Sequence, residues 1–211
     1  MGVSLKGFDF ENEKGVICAL AKEKKFLGIV SFSDPIKKDS KKAVEKLHSL
    51  GKEVYLLSGD RKAVVETVSK TLEMDGFFAE VLPEEKAQIV EEFQTKNKVV
   101  GMVGDGINDA IALAKSDVGF AIAEGTDVAM ENAEIGLMRS NLSSLVFAIE
   151  LSNKTFLKIR QNLFFAFFYN CAGVPLAALG LLNPMIAGLA MALSSISVVP
   201  NSITLRKTSQ E

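Results

Sequence analysis

Residues 101–110 read GMVGDGINDA and place Asp105 and Asp109 four positions apart, after an apolar run punctuated by glycine. Two carboxylates at the start of a helix make a hard, oxygen-rich pocket, which suits Mg2+ with water and a phosphate completing its shell. Asn108 sits between them. Two further stretches offer complementary groups: LLSGD at 56–60 ends an apolar run with Ser58 and Asp60, and PEEK at 83–86 brings Lys86 to the opening of a helix. A hydroxyl and an ammonium beside such a pocket would hold phosphoryl oxygens. Each residue also has a plainer use. Asp105 could cap the helix that follows and Asp109 could be a solvated first-turn acid; Ser58 could be a turn residue and Lys86 a solvated helix lysine.

These groups need a scaffold, and the surrounding pattern supplies one. Apolar, β-branched runs near 27–33, 53–57, 77–81, 98–103, 117–122 and 135–138 alternate with helix-period segments near 38–50, 61–73, 84–95, 107–115 and 126–132. That alternation predicts an α/β fold, a parallel sheet with helices on both faces. Ligands in such sheets collect beyond the carboxyl ends of the strands, where all three candidate groups fall. Pro83 with Glu84 and Glu85 suits the positive end of a helix. Residues 1–25, with a turn at Gly15 and a short VICALA strand, read as the tail of another unit, and 26–152 as the α/β domain.

The net charge of −2 and the mixed acids and bases give no basic field, so nucleic acid is not an expected partner. Cys18 and Cys171 lie far apart without metal-ligand or disulfide-framework spacing. The polar opening MGVSLKGFDFENEKG does not read as a signal peptide.

The composition shifts sharply near residue 160, because no charged residue occurs from Leu163 to Leu205. Asn183-Pro184 divides this stretch into pieces near 163–182 and 184–204, each of about 20 residues and long enough as a helix to cross roughly 30 Å of hydrocarbon. Residues 153–211 therefore read as the end of a membrane-entry helix from about 142 to 160 and a two-helix transmembrane hairpin, with lipid as a partner. Lys154, Lys158 and Arg160 before it and Arg206 and Lys207 after it put both termini in the cytoplasm of a multi-pass membrane protein. Tyr169 and Asn170 in the first helix, and Met191, Ser194 and Ser195 in the second, are polar or polarisable groups at bilayer depth. They serve either interhelical packing or an ion path.

Taken together, the strand-end hydroxyl, the PEEK lysine and GDGINDA closely resemble the phosphorylation domain of P-type ATPases, a haloacid-dehalogenase-like core. DPIKKDSKKAVEKL, GDGINDAIALAKSDVGFAIAEGTDVAMENAEIGLM and IRQNLFFAFFYN resemble the heavy-metal branch of that family. The resemblance implies ATP as substrate and Mg2+ held by Asp105, the direct ligand, and Asp109. It also implies a phosphoryl group neutralised by Lys86 and hydrogen-bonded by Ser58, where the family usually has Thr, with Asp60 and Asn108 in the same motifs. YN followed by MxxSS is the pattern of the monovalent-copper group, implying Cu(I) as cargo at Tyr169, Asn170, Met191, Ser194 and Ser195. A thioether is a soft donor suited to Cu(I), and neither segment carries an acid suited to Zn(II).

One departure is large. The nucleophile motif DKTGT does not occur in these residues; Asp9 and Asp34, the nearest acids after partly apolar runs, lack the Lys-Thr-Gly-Thr that follows it. The resemblance therefore implies the C-terminal part of a copper-exporting ATPase, with residues 1–25 the remnant of its nucleotide-binding domain and 26–152 its phosphorylation domain without the nucleophile motif. Its partners would be the actuator domain, the nucleotide-binding domain and other membrane helices, and the chain alone would be inactive. A soluble phosphatase of this fold and a non-catalytic membrane-anchored module are the alternatives.

Overall fold

The computed structural model describes residues 16–22, 25–32, 35–122, 130–139, 141–180, 185, 192 and 198–204. They fall into two units, Met1–Leu145 and Val146–Glu211.

The first unit opens with a hairpin. β1 (Val16–Lys22) pairs antiparallel with β2 (Lys25–Phe32), from Val16 opposite Phe32 to Lys22 opposite Lys25, with a one-residue register shift between Leu20 and Ala21. The sequence suggests a strand at 27–33 belonging to the parallel sheet; it instead pairs with the VICALA strand. Only two residues join β1 to β2, far fewer than a parallel crossover needs, so the antiparallel pairing is forced. The boundary expected between residues 25 and 26 thus falls inside a hairpin.

The remainder is parallel α/β. α1 (Ser40–Ser49) precedes β3 (Tyr55–Leu57), and α2 (Lys62–Thr71) carries the chain to β4 (Gly76–Phe78), which lies parallel to β3. α3 (Pro83–Thr95) leads to β5 (Gly101–Gly104); a 3-10 turn (Ile107–Asp109) and α4 (Ala110–Lys115) lead to β6 (Val118–Ile122). β7 (Ile135–Leu137) completes a parallel ladder in the order β5-β6-β7. Of the helix expected at 126–132, only 130 and 131 are described, and both are helical.

The α3 helix serves both ladders. Its Val90 belongs to a buried core with Met102, Ala112, Leu113 and Ala121, on the β5-β6 side. One helical turn later, Phe93 packs against Tyr55 at 4.8 Å and Phe78 at 6.2 Å between ring centroids, on the β3-β4 side. Residues three apart share a helix face, so a single amphipathic stripe fixes α3 against both.

The strands are only three to five residues long, and each parallel pair is reinforced at its amino end by an acid standing one residue before the later strand. Asp75 accepts the Val54 amide at 2.6 Å, Asp117 accepts that of Val100 at 2.8 Å, and Glu134 accepts that of Gly119 at 2.5 Å. An amide bonded to a carboxylate is stronger than one bonded to a neutral carbonyl, which compensates for short ladders. Asp75 also pairs with His48 at 2.9 Å, tying α1 to the same end.

α5 (Leu142–Ala178) leaves this unit and enters the second. Asn141 Oδ1 caps its first turn, accepting from the Ser144 amide at 3.0 Å and hydroxyl at 2.6 Å. Asp39, just ahead of α1, makes no side-chain cap for its own helix. Its carboxylate accepts instead from the Ser143 amide at 3.2 Å and hydroxyl at 3.1 Å, pinning the root of α5 to the α/β unit. Among the described residues, no helix is long and apolar enough to cross a membrane.

The Val54 amide, followed by the His48 pairing, holds the Asp75 carboxyl below its ordinary value, and the Gly119 amide does the same for Glu134. A depressed folded value means the folded state binds fewer protons, so this stabilisation is complete above about pH 4 and is lost as pH falls through the lower folded value. Asp75→Asn should lower stability at pH 7 by on the order of 0.5 kcal/mol, a modest amount because the Asp75 side chain is 37% exposed. The deficit should shrink towards pH 3, as read by urea unfolding followed by circular dichroism.

Candidate phosphoryl-handling site

The strand β5 alternates exposed Gly101, buried Met102, half-buried Val103 and buried Gly104, then breaks at Asp105-Gly106. The 3-10 turn brings Asp109 back over the end of the strand, so that a Cβ on Gly104 would lie 2.6 Å from the Asp109 Cβ and 2.9 Å from its Oδ2. No other residue fits there. Asp109 is 9% exposed and stands ahead of α4 without making a side-chain cap.

Asp109 turns to α3 instead. Pro83 at the first helical position supplies a preset φ, and the Glu85 carboxylate takes the Leu82 amide at 2.7 Å, holding the first turn. Lys86 projects from that turn and donates to Asp109 Oδ1 at 2.6 Å, with side chains 12% and 13% exposed. This resolves two of the open alternatives: Lys86 is no solvated helix lysine and Asp109 no solvated first-turn acid. Asp105 and Asn108 are exposed beside the pair.

Ser58 and Asp60 form a second, local arrangement just past β3. The Ser58 hydroxyl donates to Asp60 Oδ2 at 3.0 Å and accepts the Asp60 amide at 3.2 Å. The loop after β4 braces it, with the Val81 amide on the Ser58 carbonyl at 3.1 Å and the Glu80 amide on the Asp60 carbonyl at 3.0 Å. The structure thus joins Lys86 to Asp109 and Ser58 to Asp60, both at carboxyl ends of parallel strands.

Among the described residues, no group of three or more acidic, His or Cys side chains is gathered to hold a metal. The donor set that is present still fits Mg2+, which uses one or two carboxylates and keeps several waters. With one Asp109 oxygen engaged by Lys86, exposed Asp105 is the open carboxylate. Gly104, whose missing side chain seats Asp109, was not singled out from the sequence, although a glycine closing an apolar run is its visible signal.

Tyr169 and Asn170 lie on the backbone of α5, with their side chains outside the described residues. Met191, Ser194 and Ser195 lie outside them altogether, as do Asp9 and Asp34.

A haloacid dehalogenase-like hydrolase family model matches residues 6–117, just over half of the 211-residue chain. The protein belongs to that family. Over 206 residues, 96% of this chain and 28% of the relative, it is 50% identical to the probable copper-importing P-type ATPase A of Enterococcus hirae. Over 198 residues, 94% of this chain and 25% of the relative, it is 46% identical to a copper-exporting P-type ATPase of Staphylococcus aureus. A crystal structure of a zinc-transporting PIB-type ATPase in the E2.Pi state superposes with a TM-score of 0.79 at 32% identity, covering 90% of this chain and 31% of the other. The resemblance to heavy-metal P-type ATPases is borne out. The chain spans about a quarter of the length of these curated relatives.

Removing one partner of a nearly buried ion pair strands the other charge. Lys86→Met should therefore destabilise the protein by about 3 kcal/mol, and Lys86→Met with Asp109→Asn should recover much of that loss, as measured by urea midpoints.

Proposed function

We propose that this chain is the C-terminal part of a P-type ATPase that exports Cu(I) across a cell membrane, driven by ATP through an aspartyl phosphate. The observation that carries the proposal is the Lys86–Asp109 pair beyond the end of β5, with Asp105 open beside it. In this reading Asp105 and Asp109 hold Mg2+, which would supply charge neutralisation for phosphoryl oxygens. Lys86 orients Asp109 and presents its ammonium to the same oxygens, and Ser58, steadied by Asp60, donates a hydrogen bond to them. Asn108 lines the approach.

The nucleophilic Asp comes from sequence outside these residues, and the sheet leaves a place for its strand. Among the described residues β3 pairs only with β4 and β5 only with β6, while α3 packs against both ladders. A strand between the free edges of β3 and β5 would join them and deliver its carboxyl end between Ser58 and Asp109. The charge-free stretch 163–205 forms the membrane hairpin of this reading. In this reading Met191 supplies a soft thioether that favours Cu(I), and Tyr169, Asn170, Ser194 and Ser195 add uncharged groups, with no carboxylate of the kind that suits Zn(II). The names of the two bacterial relatives give opposite transport directions; export is the direction proposed, and uptake by inverted vesicles reads it.

In the complete ATPase, Asp105→Asn should lower phosphoenzyme formation from labelled ATP by at least a hundredfold, since metal-assisted charge neutralisation dominates phosphoryl transfer. Phosphoenzyme at the parent level would defeat the site assignment. Met191→Leu nearly conserves volume and should keep the fold while abolishing Cu(I)-stimulated phosphorylation. Unchanged Cu(I) transport would make Met191 a packing residue.

A further inference from the structure

In the second unit, Asn201 has its side-chain amide engaged at both ends. Its Oδ1 accepts from Lys158 Nζ at 2.7 Å, and its Nδ2 donates to Asn162 Oδ1 at 2.8 Å and Gln161 Oε1 at 3.3 Å. The Asn162 amide donates in turn to Ser202 Oγ at 2.9 Å. Lys158, Gln161 and Asn162 share one face of α5, and Asn201 and Ser202 lie on the helical residues 198–204. The site lies at the edge of the charge-free stretch: the next residues on the α5 face are Phe165, Phe168 and Tyr169.

The path of the chain determines what this contact means. α5 runs 16 residues past Asn162 to Ala178, about 24 Å at 1.5 Å per residue. Gly180 takes a left-handed φ of 71°, a conformation that ends helices. By Asn201 the chain is back at Asn162, so it has gone out and returned. Residues 185 and 192 are helical on the way.

We infer that Asn201 is a register-setting residue, whose amide locks the return helix against α5 at one level and thereby aligns the residues deeper along both. This rests on the hairpin reading above. An amide taken from water and left without partners is destabilising. Moving the return helix one turn deeper would put Asn201 against Phe165 and break all three of its bonds. A single buried Asn sets the register of coiled coils for the same reason.

The alignment has a specific consequence. Seven residues, two helical turns, return to the same face. Seven beyond Asn162 is Tyr169; seven before Asn201 is Ser194, and three before that is Met191. In this inference the same helical spacing, continued from Asn162 and Asn201, would set Tyr169 opposite Ser194, so that donors far apart in sequence would share one depth. Asn201 touches no cargo and acts through the register alone.

The test uses the full chain in lipid vesicles, with Cys18 and Cys171 replaced by Ala and pairs of cysteines introduced. The matched pairs Phe165→Cys with Val198→Cys and Tyr169→Cys with Ser194→Cys should be joined by a short bifunctional thiol reagent at least five times faster than the offset pair Tyr169→Cys with Val198→Cys. Asn201→Leu should erase that preference, and Asn162→Ala, which leaves the Lys158 bond, should reduce it. Asn201→Asp, which keeps the acceptor for Lys158 but loses the donor to Asn162 and Gln161, should likewise reduce it. A preference unchanged in Asn201→Leu, or absent with Asn201 intact, overturns the inference. Neither result bears on phosphoenzyme formation in Asp105→Asn, so failure of the register and failure of the proposed function separate cleanly.

Discussion

The first unit is organised around one nearly buried ion pair. Lys86 and Asp109 come from different crossovers, and their 2.6 Å contact closes the start of α3 onto the end of β5. Three neighbours make it possible. Gly104 gives up a side chain so that Asp109 can lie over the strand, and Pro83 with Glu85 holds the turn from which Lys86 reaches. Burial raises the stakes, because a carboxylate and an ammonium kept from water must satisfy each other. The pair therefore ties the start of α3 to the end of β5.

The two ends of the parallel ladders are built differently for a physical reason. At the amino end Asp75 and Asp117 each spend a carboxylate on the amide just ahead of a neighbouring strand and Glu134 on one at the start of β6, which stiffens ladders of few residues. At the carboxyl end Asp105 is left exposed, while Asp60 and Asp109 bond to a hydroxyl and an ammonium. Acids of the same type are thus structural at one end and available at the other, according to whether a backbone amide is within reach. α3 connects the ladders through Val90 on one and Phe93 on the other.

The second unit repeats this economy with uncharged groups. Asn201 bonds to Lys158, Gln161 and Asn162 where the apolar stretch begins and ends. The charge shift near residue 160 and this amide contact express one constraint, since polar groups at that level must find each other. Asp39 does the corresponding work at the other end of α5 by accepting from Ser143.

Local pattern determined much of this protein. Strands at β3 to β7, the helices between them, the capping of α3 and the grouping of Ser58, Asp60, Lys86, Asp105 and Asp109 at strand ends follow from hydrophobic period, proline and glycine, all short-range. GDGINDA and PEEK carried the family. Tertiary structure decided what depends on contacts distant in sequence. The strand at 27–33 satisfied its hydrogen bonds with β1, because a two-residue link brings that partner first. Asp109 became an ion-pair member rather than a solvated acid, because the β4–β5 crossover places α3 above it. Asp39 bonded to α5 across 104 residues in place of its own helix. Asn201 met Asn162 only because the chain turns back after Ala178. Periodicity states which face a residue occupies, but only the folded chain brings another face to it, and the energy of a buried charge or amide rests on that meeting.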